Sequence, residues 1–245
     1  MQTPTATEQE RSICANSPAA PNFNHLARLY RWLEYFSFGP LLQRSRTRFL
    51  TNLAGCRKAL VLGDGDGRFS EKLLQANQDI EITAIDGSAG MIEALRRRTA
   101  HHASRVNTCV ADLRTWRPSV SQPSGQPFDL VVSHFFLDCL TTGEISDLAG
   151  RLGPFLAPNT LWLISEFAIP QSPFGRVVAA PLVSFLYRIF GLLTKLERRR
   201  LPDHANALSA KGWRCRLRDA QIRGLLISEL WELPQPDQLI QVTSS

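Results

Sequence analysis

From Lys58 to Phe167, short apolar runs suited to strands alternate with longer amphipathic runs suited to helices. No other feature constrains the fold as much. "KALVLG" is a short buried strand and "FSEKLLQAN" a helix; "IEITAID" is a strand, "AGMIEALRRRTAHHA" a helix and "RVNTCVAD" a strand. "QPFDLVVSHF", "TGEISDLAGRLGPFL" and "NTLWLISEF" continue as strand, helix and strand. This spacing predicts a parallel sheet with helices on both faces. Near the C-terminus the order changes. "KGWRCRLRDA" and "IRGLLISELWEL" are strand-like with no room for a helix between them, so they pair antiparallel at the sheet edge. The expectation is an α/β, doubly wound, seven-stranded sheet: five parallel units and a terminal antiparallel hairpin.

Three segments lie outside the alternation. Residues 1–21, rich in Pro, Ala, Ser and Thr and without an apolar core, read as a flexible arm and not as a secretory signal. Residues 22–54 read as two leading helices, with Leu26, Leu29, Tyr30, Leu33 and Phe36 at helical spacing, a break at Gly39-Pro40 and a second helix through Leu50. Residues 167–208 form an insertion, helical in character, before the last hairpin. Its apolar stretch from Val177 to Leu196 is interrupted by Pro181 and Arg188, which argues against a membrane span. Two readings stand for it: helices packing on the core, or a lid whose apolar face meets a hydrophobic acceptor or a membrane surface. Residues 22–245 are expected to form a single domain.

The charge balance is mildly basic, at +6, and much of it sits in Arg96-Arg97-Arg98 and Arg198-Arg199-Arg200. Such runs are usually solvated helix faces, and no aromatic residues interleave with them as single-strand binding favours. No nucleic-acid partner is expected. The five cysteines show no CxxC pair, so neither zinc nor a redox motif is signalled, no metal site is expected, and an odd unframed set suits a reducing, cytoplasmic setting.

The chemistry centres on "ALVLGDGDGRF", where a strand runs into Gly63, Asp64, Gly65, Asp66 and Gly67. A dinucleotide site needs G-x-G-x-x-G; from Gly63 the third position falls on Arg68, and from Gly65 on Ser70. Neither frame completes the pattern, and two carboxylates beside a pyrophosphate are repelled by it. A cationic nucleoside removes the conflict: glycines let the backbone approach it, and nearby acids complement its charge.

At this point the sequence resembles the class I S-adenosylmethionine-dependent methyltransferases, loosely their quinone-biosynthesis and small-molecule branch. "VLGDGDG" is similar to the family's first motif, although the usual acid falls on Gly63 and an acid stands one residue later at Asp64. The run Asp86, Gly87, Ser88 to Met91 looks like the family's D-x-S-x-x-M. It implies an Asp86 carboxylate that accepts both ribose hydroxyls and a turn lining the adenine. "CVADL" implies adenine contacts from Asp112 and from the adjacent Ala111 and Leu113. "FDLVVSHF" resembles the fourth strand, whose end brings Ser133 and His134 to the crevice where parallel sheets place ligands. The resemblance covers roughly residues 55 to 166 and implies a Rossmann-like sheet, S-adenosyl-L-methionine as cofactor, and methyl transfer to a small-molecule or lipid-like acceptor.

For catalysis, His134 is the candidate general base and Asp138, one turn later, the candidate that orients it. Each has a plainer alternative, as a pocket packing residue and as a turn cap. His204 reads as a helix-start residue, and Glu166 as a pocket-facing acid without a role. His25, Tyr30 and Tyr35 lie in the leading helices. Two other functions compete: a nicotinamide-dependent oxidoreductase, disfavoured by the broken glycine pattern and the lack of Tyr-x-x-x-Lys, and a non-catalytic module that binds S-adenosylmethionine.

Overall fold

The computed structural model describes residues 39–118, 126–170 and 201–235. The N-terminal arm, the first leading helix with His25, Tyr30 and Tyr35, and the insertion from 171 to 200 lie outside the described residues. Helices α1 (Gly39–Arg46), α2 (Arg68–Ala76), α3 (Ala89–Arg98), α4 (Thr142–Leu152) and α5 (His204–Ser209) surround seven strands. The strands are β1 (Lys58–Leu62), β2 (Glu81–Asp86), β3 (Val106–Val110), β4 (Phe128–His134), β5 (Leu156–Phe167), β6 (Arg214–Gln221) and β7 (Leu226–Glu232).

They form one sheet in the order β3-β2-β1-β4-β5-β7-β6. Strands β1 to β5 pair parallel, and β7 runs antiparallel to both β5 and β6. The hairpin lies at the edge as expected, with its second strand innermost. The burial pattern explains this order: β7 is covered along nearly its whole length, whereas Arg214, Arg216 and Arg218 leave β6 exposed. Charged side chains on an open edge also discourage pairing with another chain.

Residue alternation along β1 divides the core. Leu60 and Leu62 face a layer containing Trp162, Trp213 and the apolar stripe of α4, Ile145, Leu148 and Leu152. Ala59 and Val61 face Phe69, Leu73 and Leu74 of α2 and Leu95 of α3. Helix α4 begins with a full capping box, Thr141 and Glu144 each bonding the other's backbone N–H. The helix expected through Leu50 ends at Arg46 and is followed by a 3-10 turn, Leu50–Leu53. Its last turn is fastened to the sheet: Ser228 Oγ and Ser165 Oγ both donate to the carbonyl of Ser45, at 2.9 and 3.2 Å. Among the described residues no helix is long and apolar enough to cross a membrane.

Candidate functional site

The C-terminal ends of β1, β2 and β4 converge where the chain leaves the sheet through its glycine-rich turn. Gly63, Gly65 and Gly67 all take positive φ, at 69°, 63° and 80°, which side chains other than glycine rarely adopt. They meet different surroundings. A Cβ on Gly63 falls 2.7 Å from Cδ2 of Phe136, and one on Gly67 2.7 Å from Cγ of Leu95, so both are packed tight. A Cβ on Gly65 meets only the Met91 sulfur, at 3.8 Å. Gly65 is therefore the least crowded position of the turn, with Met91 beside it, and the ground between β1 and β2 that it fronts is the candidate cleft. At position 63, where the family resemblance expects an acid, a side chain would run into the Phe136 ring.

Both aspartates of the turn are held by the chain itself. Asp64 Oδ2 accepts from Ser70 N at 2.9 Å and from Ser70 Oγ at 2.6 Å. Ser70 is the third residue of α2, so this carboxylate sits on the free N–H groups of the helix start. Burial pushes its pKa up, against the Ser70 hydrogen bonds and the charge of Arg46. Asp66 Oδ2 accepts from Arg68 Nε at 3.1 Å and from Arg98 Nη2 at 3.0 Å, and Arg98 Nε donates to the Asp66 carbonyl at 2.8 Å. Asp66 ties the turn to α3. The sequence expectation is that this pair offsets a ligand's positive charge; in the structure Asp64 is engaged by the start of α2 and Asp66 by two arginines.

Asp86, the last residue of β2, turns back onto the cleft. Its Oδ2 accepts from Gly65 N at 3.3 Å and its Oδ1 from Ser88 N at 2.8 Å. Burial raises its pKa to about 6, against those two hydrogen bonds. Each carboxylate oxygen retains a lone pair beyond these bonds. Ser88 caps α3 by accepting from Met91 N, which places the Met91 side chain across from Gly65. Ala111 N donates to the Asp86 carbonyl, and Gly87 lies beside the Ala111 carbonyl. Asp112 closes its own turn by accepting from Arg114 N at 3.0 Å. Leu113 turns its side chain into the core, and its carbonyl accepts from Arg151. Gly65, Asp86, Gly87, Ser88, Met91 and Ala111 are thus brought together, with Asp112 beside them.

The end of β4 differs from the sequence expectation. Ser133 is fully buried on the α4 face, and its Oγ accepts from the Trp162 indole at 2.9 Å, so it does not open on the cleft. His134 points to the opposite face, 3% exposed, its ring edge-on to Phe69 at 4.5 Å. Neither ring nitrogen has a hydrogen-bond partner, so the expected pairing with Asp138 does not form. Burial, and secondarily the charge of Arg46, holds its pKa well below the usual value, and the imidazole is neutral. Asp138 lies instead near Glu166 and Cys139, raising the pKa of both. His204 starts α5 as expected and reaches Glu229 at 2.9 Å on the back of the sheet.

Sequence reasoning missed three contributors. Arg46, 8% exposed, brings a guanidinium over the Phe135 ring at 5.3 Å and near Asp64 and His134. Phe136 covers Gly63, and Glu166 holds the turn that carries Phe136. Only the unusual acid at the end of an apolar strand signalled one of them. Among the described residues no group of three or more His, Cys, Asp or Glu could hold a metal.

Residues 60–161 match a family described as "Methyltransferase domain". That segment runs from β1 into β5 and includes the glycine turn, Asp86 and the end of β4. The fold of this chain is shared with solved methyltransferase structures. An O-methyltransferase family protein from Burkholderia thailandensis superposes with a TM-score of 0.64 at 15% identity, over 86% of this chain and 60% of that one. Mitomycin 7-O-methyltransferase MmcR gives 0.63 at 15% identity, over 87% and 61%. The N-methyltransferase NodS from Bradyrhizobium japonicum WM9, in complex with S-adenosyl-L-homocysteine, gives 0.60 at 14% identity, over 88% and 100%. At these identities the likeness is one of fold, and the chain spans about three fifths of the two O-methyltransferases. No curated protein matches the chain.

Proposed function

We propose that this methyltransferase domain moves a methyl group from S-adenosylmethionine to a small-molecule or lipid-like acceptor. One observation carries the reading. The anion position at the start of α2, which a dinucleotide's pyrophosphate occupies in a phosphate-binding loop, is filled by the chain's own Asp64 carboxylate. Beside it the candidate cleft offers the bare backbone of Gly65 and the Asp86 carboxylate, which suit a nucleoside that has a ribose diol and no phosphate. The relatives support the same choice: NodS was solved with S-adenosyl-L-homocysteine, and MmcR is an O-methyltransferase of a small molecule.

When bound, the cofactor supplies a methyl group already activated on a sulfonium. What remains for the chain is placement. Asp86 would accept the ribose hydroxyls, and Gly65, without a side chain, would let the nucleoside lie against backbone. Ser88 fixes the α3 start that carries Met91, and Met91, Ala111 and Asp112 would hold the base. Holding donor and acceptor in line supplies roughly 7–11 kcal/mol of such a barrier. His134 takes no part as a base in this reading, because it is sealed against Phe69 and its pKa is depressed. We place the reaction in the cytoplasm, with a hydrophobic acceptor reaching the site from solution or from a membrane surface.

The test is transfer of labelled methyl from S-adenosylmethionine into a mixed pool of small phenols, amines and isoprenoid quinols. Label in an extractable product supports the reading. Cofactor binding with no label in any product points instead to a module that binds without turnover.

A further inference from the structure

The turn after β4 is held in a costly shape. Phe135 sits at φ 52°, a left-handed conformation that costs a bulky residue about 1 kcal/mol or more. Its N–H donates to the Ser165 carbonyl at 2.7 Å. The next two N–H groups, of Phe136 and Leu137, both donate to one oxygen, Glu166 Oε1, at 3.1 and 2.8 Å. These are unpaired donors at the start of the 3-10 turn Leu137–Cys139, where no backbone carbonyl can reach them. The side chain that meets them comes from the far end of β5 and is 3% exposed. With the turn drawn down in this way, the Phe136 ring lies directly against Gly63.

We propose that Glu166 is a positioning residue for the cofactor cleft: it clasps the post-β4 turn so that Phe136 seats on Gly63 and closes the β1 end of the glycine turn. The inference rests on the reading that the cleft binds S-adenosylmethionine, and it names a determinant of that binding outside the glycine turn and Asp86. The work is done by an acceptor oxygen. Burial and the neighbouring Asp138 hold the Glu166 carboxyl well above the ordinary glutamate range. A glutamine presents the same acceptor at the same length; a leucine fills the space and presents none.

Two measurements on the full chain test this. Amide hydrogen exchange without ligand reads the clasp itself: the Phe136 and Leu137 amides should be protected in the wild type and in Glu166→Gln, and exchange at least about tenfold faster in Glu166→Leu. Calorimetric titration with S-adenosylhomocysteine reads the consequence. Glu166→Gln should bind within about threefold of wild type, whereas Glu166→Leu and Phe136→Ala should each bind about tenfold or more weakly. The double variant should be no weaker than the worse single one, because both changes remove the same wall. Wild-type-like binding by Phe136→Ala overturns the inference, as does Glu166→Gln binding as poorly as Glu166→Leu. Should Glu166→Leu fail to fold, Glu166→Gln and Phe136→Ala still decide. Failure of the wild type to bind S-adenosylhomocysteine sinks the cofactor reading and this determinant with it. Normal wild-type binding with unaffected variants sinks the determinant alone.

Discussion

Asp64 and Asp86 are two carboxylates at the ends of neighbouring strands, and their surroundings separate their roles. Asp64 spends its acceptor capacity on Ser70, at the start of α2, where its charge does what a phosphate does in other glycine loops. Asp86 accepts only single bonds from Gly65 and Ser88 and keeps lone pairs toward the cleft. Its pKa of about 6 gives a signature for nucleoside binding. Ribose hydroxyls donate best to the ionised group, so affinity should be greatest above that value and fall as pH drops through it. A drop of about tenfold is expected between pH 7 and pH 5, with proton release on binding near pH 6. Titrations of S-adenosylhomocysteine across this range check it. Asp86→Asn should bind more weakly than wild type at pH 7 and lose the pH dependence; a flat wild-type profile would remove Asp86 from the site. Glycines 63, 65 and 67 and Asp86 were legible in the sequence because turn chemistry and strand ends leave local marks. Arg46 and Phe136 were not, and Glu166 showed only as a pocket-facing acid without a role, because each acts on a residue that the chain meets only after the sheet has formed.

At the level of elements, α2 is set by a residue outside it. Its N-cap, Gly67, has no side chain to offer, and Asp64, three residues earlier, supplies the missing acceptor to Ser70 N. Asp64→Ala should therefore cost about 1–2 kcal/mol of stability in denaturant unfolding, and Asp64→Asn, which keeps an acceptor oxygen, clearly less. Equal losses would mean that charge matters here and capping does not. The alternation of strands and helices from Lys58 to Phe167 could be read almost element by element, because apolar periodicity changes at each boundary. The seating of β7 between β5 and β6 was less visible. A hairpin's sequence says that two strands pair; which of them also joins the sheet depends on burial. The arginines at alternate positions of β6 mark it as the edge only once the sheet is known.

Across the described residues, both faces of the sheet carry a hydrophobic core, and the candidate cleft lies at the strand ends. The back carries a buried charge cluster far from the glycine turn: Glu229, 1% exposed, accepts from Trp231 Nε1 at 2.9 Å and meets His204 Nε2 at 2.9 Å and Arg218 Nε at 3.3 Å. Burial alone would raise the Glu229 pKa, but His204, Trp231 and Arg218 together hold it below the ordinary value. A depressed carboxyl contributes stability that is complete above its unfolded pKa and lost as pH falls through the folded one. Urea unfolding should therefore show stability falling below about pH 4.5, less steeply in Glu229→Gln; identical slopes would remove the cluster from the acid response. This network was not readable from the chain, where His204 showed only as a helix start. The fold as a whole is shared with solved methyltransferases, and the proposed function takes the cleft as a site for a nucleoside cofactor without phosphate. Calorimetric titration of the full chain with S-adenosylhomocysteine and, separately, with NADH tests that claim most directly. Saturable binding of S-adenosylhomocysteine that Asp86→Ala abolishes, with no heat from NADH, is the predicted result; binding of NADH, or none of S-adenosylhomocysteine, would contradict it.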